Sequence, residues 1–164
     1  MPKVISYAVL LINRELDKKN AGMLKNLEPQ LVNLFYKYQM EMMAITKEEG
    51  IYFDVVSAYE NNNIDTLCIA ADKEYNVYGF IILEADMITR TLWTSHVFVD
   101  PSYRMSGVYK LMMKRVKKFA EDAKFNRIFS LVHRNNYGSR QAHRKVFGPQ
   151  MWNGYQMEIK HEDK

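Results

Sequence analysis

The chain has one cysteine, Cys68, among 164 residues. That excludes an internal disulfide and a zinc site built from cysteines alone. Cys68 lies in the apolar run of residues 67–71, so it reads as a small buried hydrophobe and not as a nucleophile. Seven glycines and four prolines leave no low-complexity tract, and neither a repeat nor a long linker is present. No apolar run reaches the ~18 residues of a membrane-spanning helix. Residues 4–12 follow Lys3 and resemble the core of a signal peptide, but Asn13-Arg14-Glu15 follows and no small-residue cleavage site does. A buried first strand is the better reading, and the expected compartment is the cytoplasm, without membrane contact. No metal is expected: His133 and His143 lie ten apart with no acidic or cysteine partner at ligand spacing. A nucleotide loop ending in GK[ST] and a G-x-S-x-G elbow are both missing.

What is present suits one domain over residues 1–164. Hydrophobic residues make up 48% and aromatics 13%, enough for a full core and too much for disorder. The net charge of +4 is unevenly spread. Residues 1–100 hold 9 Lys/Arg against 14 Asp/Glu, while residues 101–164 hold 14 against 5. A basic second half attracts a polyanion, for which coenzyme A and nucleic acid are both candidates, although solvated helix faces account for most of these lysines.

Periodicity places the elements. Residues 4–12 read as a strand. Residues 27–43 read as a helix with an apolar stripe (Leu27, Leu31, Leu34, Phe35, Tyr38, Met42) and Pro29 in its first turn. Thr46-Lys47-Glu48-Glu49 has capping-box form and opens a second helix to about Tyr59. Residues 67–71 and 77–84 flank a polar turn as a hairpin. Residues 92–99 form a fourth strand, 110–124 a helix and 127–132 a fifth strand. Ser139 caps a helix to Phe147, and residues 152–160 close the chain with strand. The order β-α-α-β-β-β-α-β-α-β predicts an α/β fold, a mixed central sheet with helices on both faces.

The junction at residues 91–111, TLWTSHVFVDPSYRMSGVYKL, carries the most chemistry. A strand ends at Asp100-Pro101, a turn with one glycine follows, and a helix begins. Strand, short loop and helix aim free backbone N–H groups at an anion. The wording resembles the signature of the GCN5-related N-acetyltransferase (GNAT) family: Arg or Gln, two residues, Gly, one residue, Gly or Ala. Arg104 and Gly107 match, as do Val99, Pro101, Tyr103 and Arg104 in a V-x-P-x-Y-R phrase. Tyr109 stands where the family has a small residue. The element order is also that of the family's fold.

The resemblance implies acetyl-CoA as co-substrate, held through its pyrophosphate by Arg104, Met105, Ser106, Gly107, Val108 and Tyr109. It implies that strands 4 and 5 splay around the pantetheine arm, with main-chain contacts from Val97, Phe98 and Val99. An asparagine after strand 5 contacts the arm; Asn136 is favoured over Asn135, and ordinary turn chemistry explains both as well. Glu84 and His96 are candidate bases, with His96 sharing a face with Phe98 and opposed to Val97. The family's tyrosine acid falls at Arg144. Tyr137 and His143 are nearby substitutes, with His143 read as a surface residue, and the Arg144 cation is a candidate to stabilise a thiolate.

The activity expected is direct acetyl transfer to a primary amine of a small molecule or protein, in a monomer or homodimer. Glu41, Glu48 and Glu49 favour a cationic acceptor. Two rivals stand beside it. One is nucleic-acid binding by Lys110, Lys114, Arg115, Lys117, Lys118, Arg134, Arg140, Arg144 and Lys145, without a recognised nucleic-acid motif. The other is a catalytically degenerate member that binds acyl-CoA or a protein.

Overall fold

The computed structural model describes residues 7–13, 18–47, 54–148 and 154–161. The elements are β1 (Tyr7–Asn13), α1 (Lys18–Ile45), α2 (Val55–Glu60), β2 (Thr66–Asp72), β3 (Val77–Asp86), β4 (Thr91–Val99), α3 (Val108–Asp122), β5 (Arg127–Leu131), α4 (Tyr137–Phe147) and β6 (Gly154–Glu158). The six strands form one sheet in chain order, antiparallel throughout except for the parallel pair β4–β5. The mixed α/β sheet and the element order agree with the sequence reading.

Two apolar layers cover the sheet. On one face the α1 stripe Leu24, Leu27, Leu31, Leu34, Phe35 and Tyr38 packs on Phe80, Ile82 and Phe98. Phe35 meets Phe80 edge to face at 4.7 Å, the geometry aromatic quadrupoles prefer. On the other face Val108, Met112, Val116 and Ala120 of α3 pack on Cys68, Ile81, Leu83 and Leu92. Only glycine fits at position 79, because a Cβ there would come within 2.9 Å of the Phe98 carbonyl and 3.0 Å of the Met112 methyl.

Several expected boundaries move. α1 begins at Lys18 instead of residue 27, and Pro29 lies inside it. Burial of Leu24 and Leu27 extends the stripe through the proline, whose side lies exposed to solvent. The Glu49 end of the expected Thr46 capping box lies outside the described residues, and Thr46 closes the preceding helix. The Thr46 hydroxyl donates to the Met42 carbonyl at 2.8 Å, in the last turn of α1. Residues 48–53 of the expected second helix lie outside the described residues, as do residues 4–6 of the expected first strand. α2 is capped by Asp54, which accepts from the Ser57 N–H at 2.9 Å and the Ser57 hydroxyl at 2.6 Å. α4 is capped by Asn136 and not by Ser139; the Asn136 side chain accepts from the Ser139 N–H at 3.1 Å. Among the described residues no helix is long and apolar enough to cross a membrane.

Two irregularities mark β4. Ile82 opposes His96 while Leu83 opposes Thr94, so Ser95 is the extra residue of a bulge. Val97 and Val99 turn toward α3, and His96 and Phe98 toward α1. β4 also pairs with β5 only over Thr91–Arg127, Leu92–Ile128 and Trp93–Phe129. Past Trp93 the two strands part.

Candidate functional site

The junction of β4 and α3 is built to present N–H groups. Asp100 caps a 3₁₀ turn at Pro101–Tyr103, accepting from the Ser102 N–H at 2.9 Å, and Lys37 holds its other oxygen at 2.6 Å. Arg104 folds back over the strand: its Nε donates to the Val99 carbonyl at 3.0 Å and its terminal nitrogen reaches Glu41 at 2.7 Å. Met105 is 91% exposed with φ 64, and the Ser106 hydroxyl donates to the Tyr103 carbonyl. Gly107 caps α3 at φ 88, ψ 0, with no side-chain cap bond and open space where a Cβ would stand. The Leu111 N–H bonds to the Gly107 carbonyl. Val108, Tyr109 and Lys110 therefore occupy the positions whose N–H groups lack an intrahelical acceptor. No acidic residue occupies the first turn, so no carboxylate of that turn meets the positive end of the helix dipole.

Tyr109 does not fill this mouth. Its ring turns inward to 5.2 Å from that of His143, and burial pushes its hydroxyl well above the ordinary tyrosine range. Among the described residues no hydrogen-bond partner reaches that buried hydroxyl.

Where β4 and β5 part, a small cavity of about 40 Å³ opens, lined by Thr94, Ser95 and Val97 from β4, Ser130 and Leu131 from β5, and Asn136, Ser139 and His143 beyond them. Tyr38 and Met42 of α1 line it too. Thr94 and Ser130 come one step after the last paired residues, and the buried Thr94 hydroxyl is without a partner among the described residues. The Ser130 hydroxyl lies 2.9 Å from His143 Nε2, and His143 Nδ1 lies 2.8 Å from the Ser139 carbonyl. A carbonyl only accepts, so Nδ1 carries the proton and Nε2 accepts from Ser130. Burial pushes the His143 pKa down to about 4, keeping the ring neutral. The expected surface position for His143 is thus corrected: it is 1% exposed, because α4 turns that face onto Tyr109, Phe147 and Tyr155.

A larger cavity, about 400 Å³, lies on the α1/α2 side of the bulge. Asp54, Ser57, Ala58 and Asn61 of α2 and its caps line it, with Asn63, Ile64, Ile82, Glu84 and His96. Among the described residues two carboxylates face it and neither Lys nor Arg does. Both candidate bases meet here. His96 is pushed down to about 4 by burial, so it is neutral near pH 7. Its Nδ1 is 2.6 Å from the Tyr38 hydroxyl. That hydroxyl is itself held above the ordinary tyrosine range by burial and, less, by the Glu41 carboxylate.

The other expected residues scatter. Val97 lines the small cavity, Phe98 is buried in the α1 core, and the Val99 carbonyl is engaged by Arg104. Asn136 lines the cavity while capping α4. Tyr137 is 69% exposed, Arg144 is exposed in the last turn of α4, and neither lines either cavity. Of the three glutamates expected near an acceptor, Glu41 is paired with Arg104 and Glu48 and Glu49 fall outside the described residues. Sequence reading misses Tyr38, Asp54, Thr94 and Ser130 as site residues. Tyr38 offers one signal, a hydroxyl on an otherwise apolar stripe.

Comparison with known proteins agrees with this geometry. The sequence model of the acetyltransferase (GNAT) family matches residues 31–148. By sequence, no curated protein matches. Among solved structures, the PaiA N-acetyltransferase of Thermoplasma acidophilum in complex with coenzyme A is 16% identical, with a TM-score of 0.62 over 96% of this chain and 100% of that one. The aminoglycoside acetyltransferase AAC(6')-Iy, bound to a bisubstrate analogue of coenzyme A and acetylneamine, is 14% identical, with a TM-score of 0.64 over 98% of this chain and 99% of that one. A nourseothricin acetyltransferase is 16% identical at a TM-score of 0.51, over 58% of this chain and 65% of its own. The sheet that parts after Trp93, the bare N-terminus of α3 and the family match over most of the chain agree: this protein belongs to the GNAT acetyltransferase family.

Proposed function

We propose that the protein transfers an acetyl group from acetyl-CoA directly to the primary amine of a small cationic acceptor. The observation that carries the reading is the parting of β4 from β5 after Trp93, between the anion-ready end of α3 on one side and a cavity with two carboxylates on the other. The residues present fit the co-substrate. The N–H groups of Val108, Tyr109 and Lys110 suit its pyrophosphate, Gly107 leaves the approach open, and the unpaired edge after Trp93 with Asn136 suits its arm. Acetyl-CoA supplies an activated acetyl thioester.

The acceptor belongs in the larger cavity. Asp54 and Glu84 attract an ammonium group, while the amides of Asn61 and Asn63 and the Ser57 hydroxyl suit a polar body. At about 400 Å³ the cavity is sized for a small molecule. The neutral His96 adds no positive charge to repel the amine. Direct transfer is favoured because Cys68, the only thiol, is fully buried, sits 3.7 Å from the Met112 carbonyl and has its pKa pushed up to about 12 by burial.

The test is acetyl transfer, followed by thiol release, over a panel of diamines, aminosugars, neutral-chain monoamines and lysine peptides. The small dications should react best. Glu84→Gln should raise their KM about tenfold, ~1.4 kcal/mol, with a smaller change in kcat. Coenzyme A binding without transfer to any amine would favour the degenerate member. Salt-dependent DNA binding without coenzyme A binding would favour the nucleic-acid rival.

A further inference from the structure

Thr94 stands where β4 and β5 part, one step after the last paired residues, Trp93 and Phe129. Its neighbours on the same face, Leu92 two residues before it and Leu83 across the pair with β3, belong to the apolar layer under α3. A valine would suit that layer. The chain instead places a hydroxyl there, 2% exposed and without a hydrogen-bond partner among the described residues. An orphaned buried hydroxyl destabilises a fold, so its presence points to a partner outside the chain. Tyr109 carries a second such hydroxyl, but it lines neither cavity, whereas Thr94 lines the smaller one.

The lining of that cavity singles out the donor. Ser130 stands at the matching step of β5, and its hydroxyl proton is engaged by His143 Nε2 at 2.9 Å. The Tyr38 hydroxyl is engaged with His96 Nδ1 at 2.6 Å. Of the buried hydroxyls lining the cavity, those of Tyr38, Thr94 and Ser130, only that of Thr94 is without a partner among the described residues. Distance along the strand says which group of a bound acetyl-CoA arrives there. The α3 N–H groups that suit its pyrophosphate follow Val99, and Thr94 lies further back along β4 by about 17 Å, at ~3.3 Å per residue. The extended arm of coenzyme A, with two amides between phosphate and sulfur, covers a similar span, so its sulfur end reaches the place where the strands part. About 40 Å³ is room for a few atoms there and not for a whole acceptor. Consecutive residues of β4 border both cavities, Ser95 the smaller and His96 the larger.

We infer that the Thr94 hydroxyl is a side-chain hydrogen-bond donor to the thioester carbonyl oxygen of bound acetyl-CoA, and that this bond strengthens as negative charge grows on the oxygen during attack. This rests on the function proposed above. The acceptor nitrogen bonds to the acyl carbon, the carbonyl π pair moves onto oxygen, and the Thr94 proton stays on Thr94 while its hydrogen bond shortens. The pair then returns to the carbonyl and sulfur departs with the carbon–sulfur electrons. The proton shed by nitrogen to water balances the one that sulfur takes from water. A donor fixed in an apolar layer acts more strongly than one in solvent, because nothing competes for it and it needs no reorganisation.

Thr94→Val keeps the shape of the side chain and removes the donor, while Thr94→Ser keeps the donor. In the unliganded protein Thr94→Val should leave Tm unchanged or raise it by up to about 3 °C, because an orphaned polar group is removed. A fall in Tm would mean that the hydroxyl holds the fold together, and would overturn the inference. With acetyl-CoA ¹³C-labelled at the thioester carbonyl, difference infrared spectra should place the bound carbonyl stretch at lower frequency in the wild type and in Thr94→Ser than in Thr94→Val. One frequency for all of them would also overturn it. In turnover Thr94→Val should lower kcat about 100-fold, the low end for loss of one such donor. The calorimetric affinity for acetyl-CoA should change little, and Thr94→Ser should restore most of the rate. An undiminished kcat, or a loss that serine does not restore, contradicts the assignment. A wild-type protein that binds acetyl-CoA but acetylates no amine would overturn the proposed function, and the infrared comparison then still decides for or against Thr94. Acetyl-CoA that does not bind would overturn both.

Discussion

Replacing Gly107 by valine should weaken coenzyme A binding at least tenfold, ~1.4 kcal/mol, in a protein that remains folded. The residue sits at φ 88, ψ 0, a conformation a β-branched residue adopts only with strain. No atom lies within 4 Å of the position its Cβ would take, so the cost is in backbone geometry and not in a clash. That geometry sets the direction of the Val108, Tyr109 and Lys110 N–H groups. Gly107→Asn, which tolerates the left-handed region better, should retain most of the affinity. Calorimetric titration of both variants with coenzyme A checks this. Undiminished affinity in folded Gly107→Val would make the residue a turn glycine with no part in binding.

His143→Ala should cost stability before it costs activity, on the order of 3 kcal/mol. The imidazole is 1% exposed, stacks on Phe147 at 5.6 Å and satisfies the Ser130 hydroxyl at 2.9 Å. Truncation leaves a cavity and an orphaned buried hydroxyl. The same residue makes stability depend on pH. Its folded pKa, about 4, lies below the ~6.5 of an unfolded histidine, as does that of His96. Between those values only the unfolded chain takes up the protons. The contribution is therefore complete above about pH 6.5 and is lost as pH falls toward 4. Urea unfolding at several pH values should show wild-type stability falling through that window, and His143→Ala falling less steeply. Parallel curves would mean that His143 is not held neutral by its burial.

What the sequence makes legible is local. The hairpin of β2 and β3 and the strand, short turn and helix around Gly107 each rest on neighbours within a few residues, and each agrees with the structure. The start of α1 is misplaced from sequence because Pro29 carries a strong local signal against helix interior. Burial of Leu24 and Leu27 outweighs it, and that burial depends on a sheet assembled from distant segments. The cap of α4 shifts from Ser139 to Asn136 because both residues cap well and only the register of the turn decides. The bulge at Ser95 exists only in the pairing of β4 with β3. The Tyr38–His96 contact and the Ser130–His143 contact join separate elements, so no spacing rule reveals them. His143 illustrates the limit well: as a lone histidine among Arg140, Arg144 and Lys145 it reads as surface, and only the packing of α4 on Tyr155 and Tyr109 turns it inward.

The central claim is that the gap between β4 and β5 and the N-terminus of α3 together hold acetyl-CoA. Thermal unfolding with acetyl-CoA, coenzyme A and ATP, paired with calorimetric titration, tests it most directly. Acetyl-CoA at about 100 times its dissociation constant should stabilise the fold by roughly 2.7 kcal/mol, with coenzyme A close behind and ATP well below both. Saturating acetyl-CoA that gives neither a shift in Tm nor a heat of binding would contradict the claim.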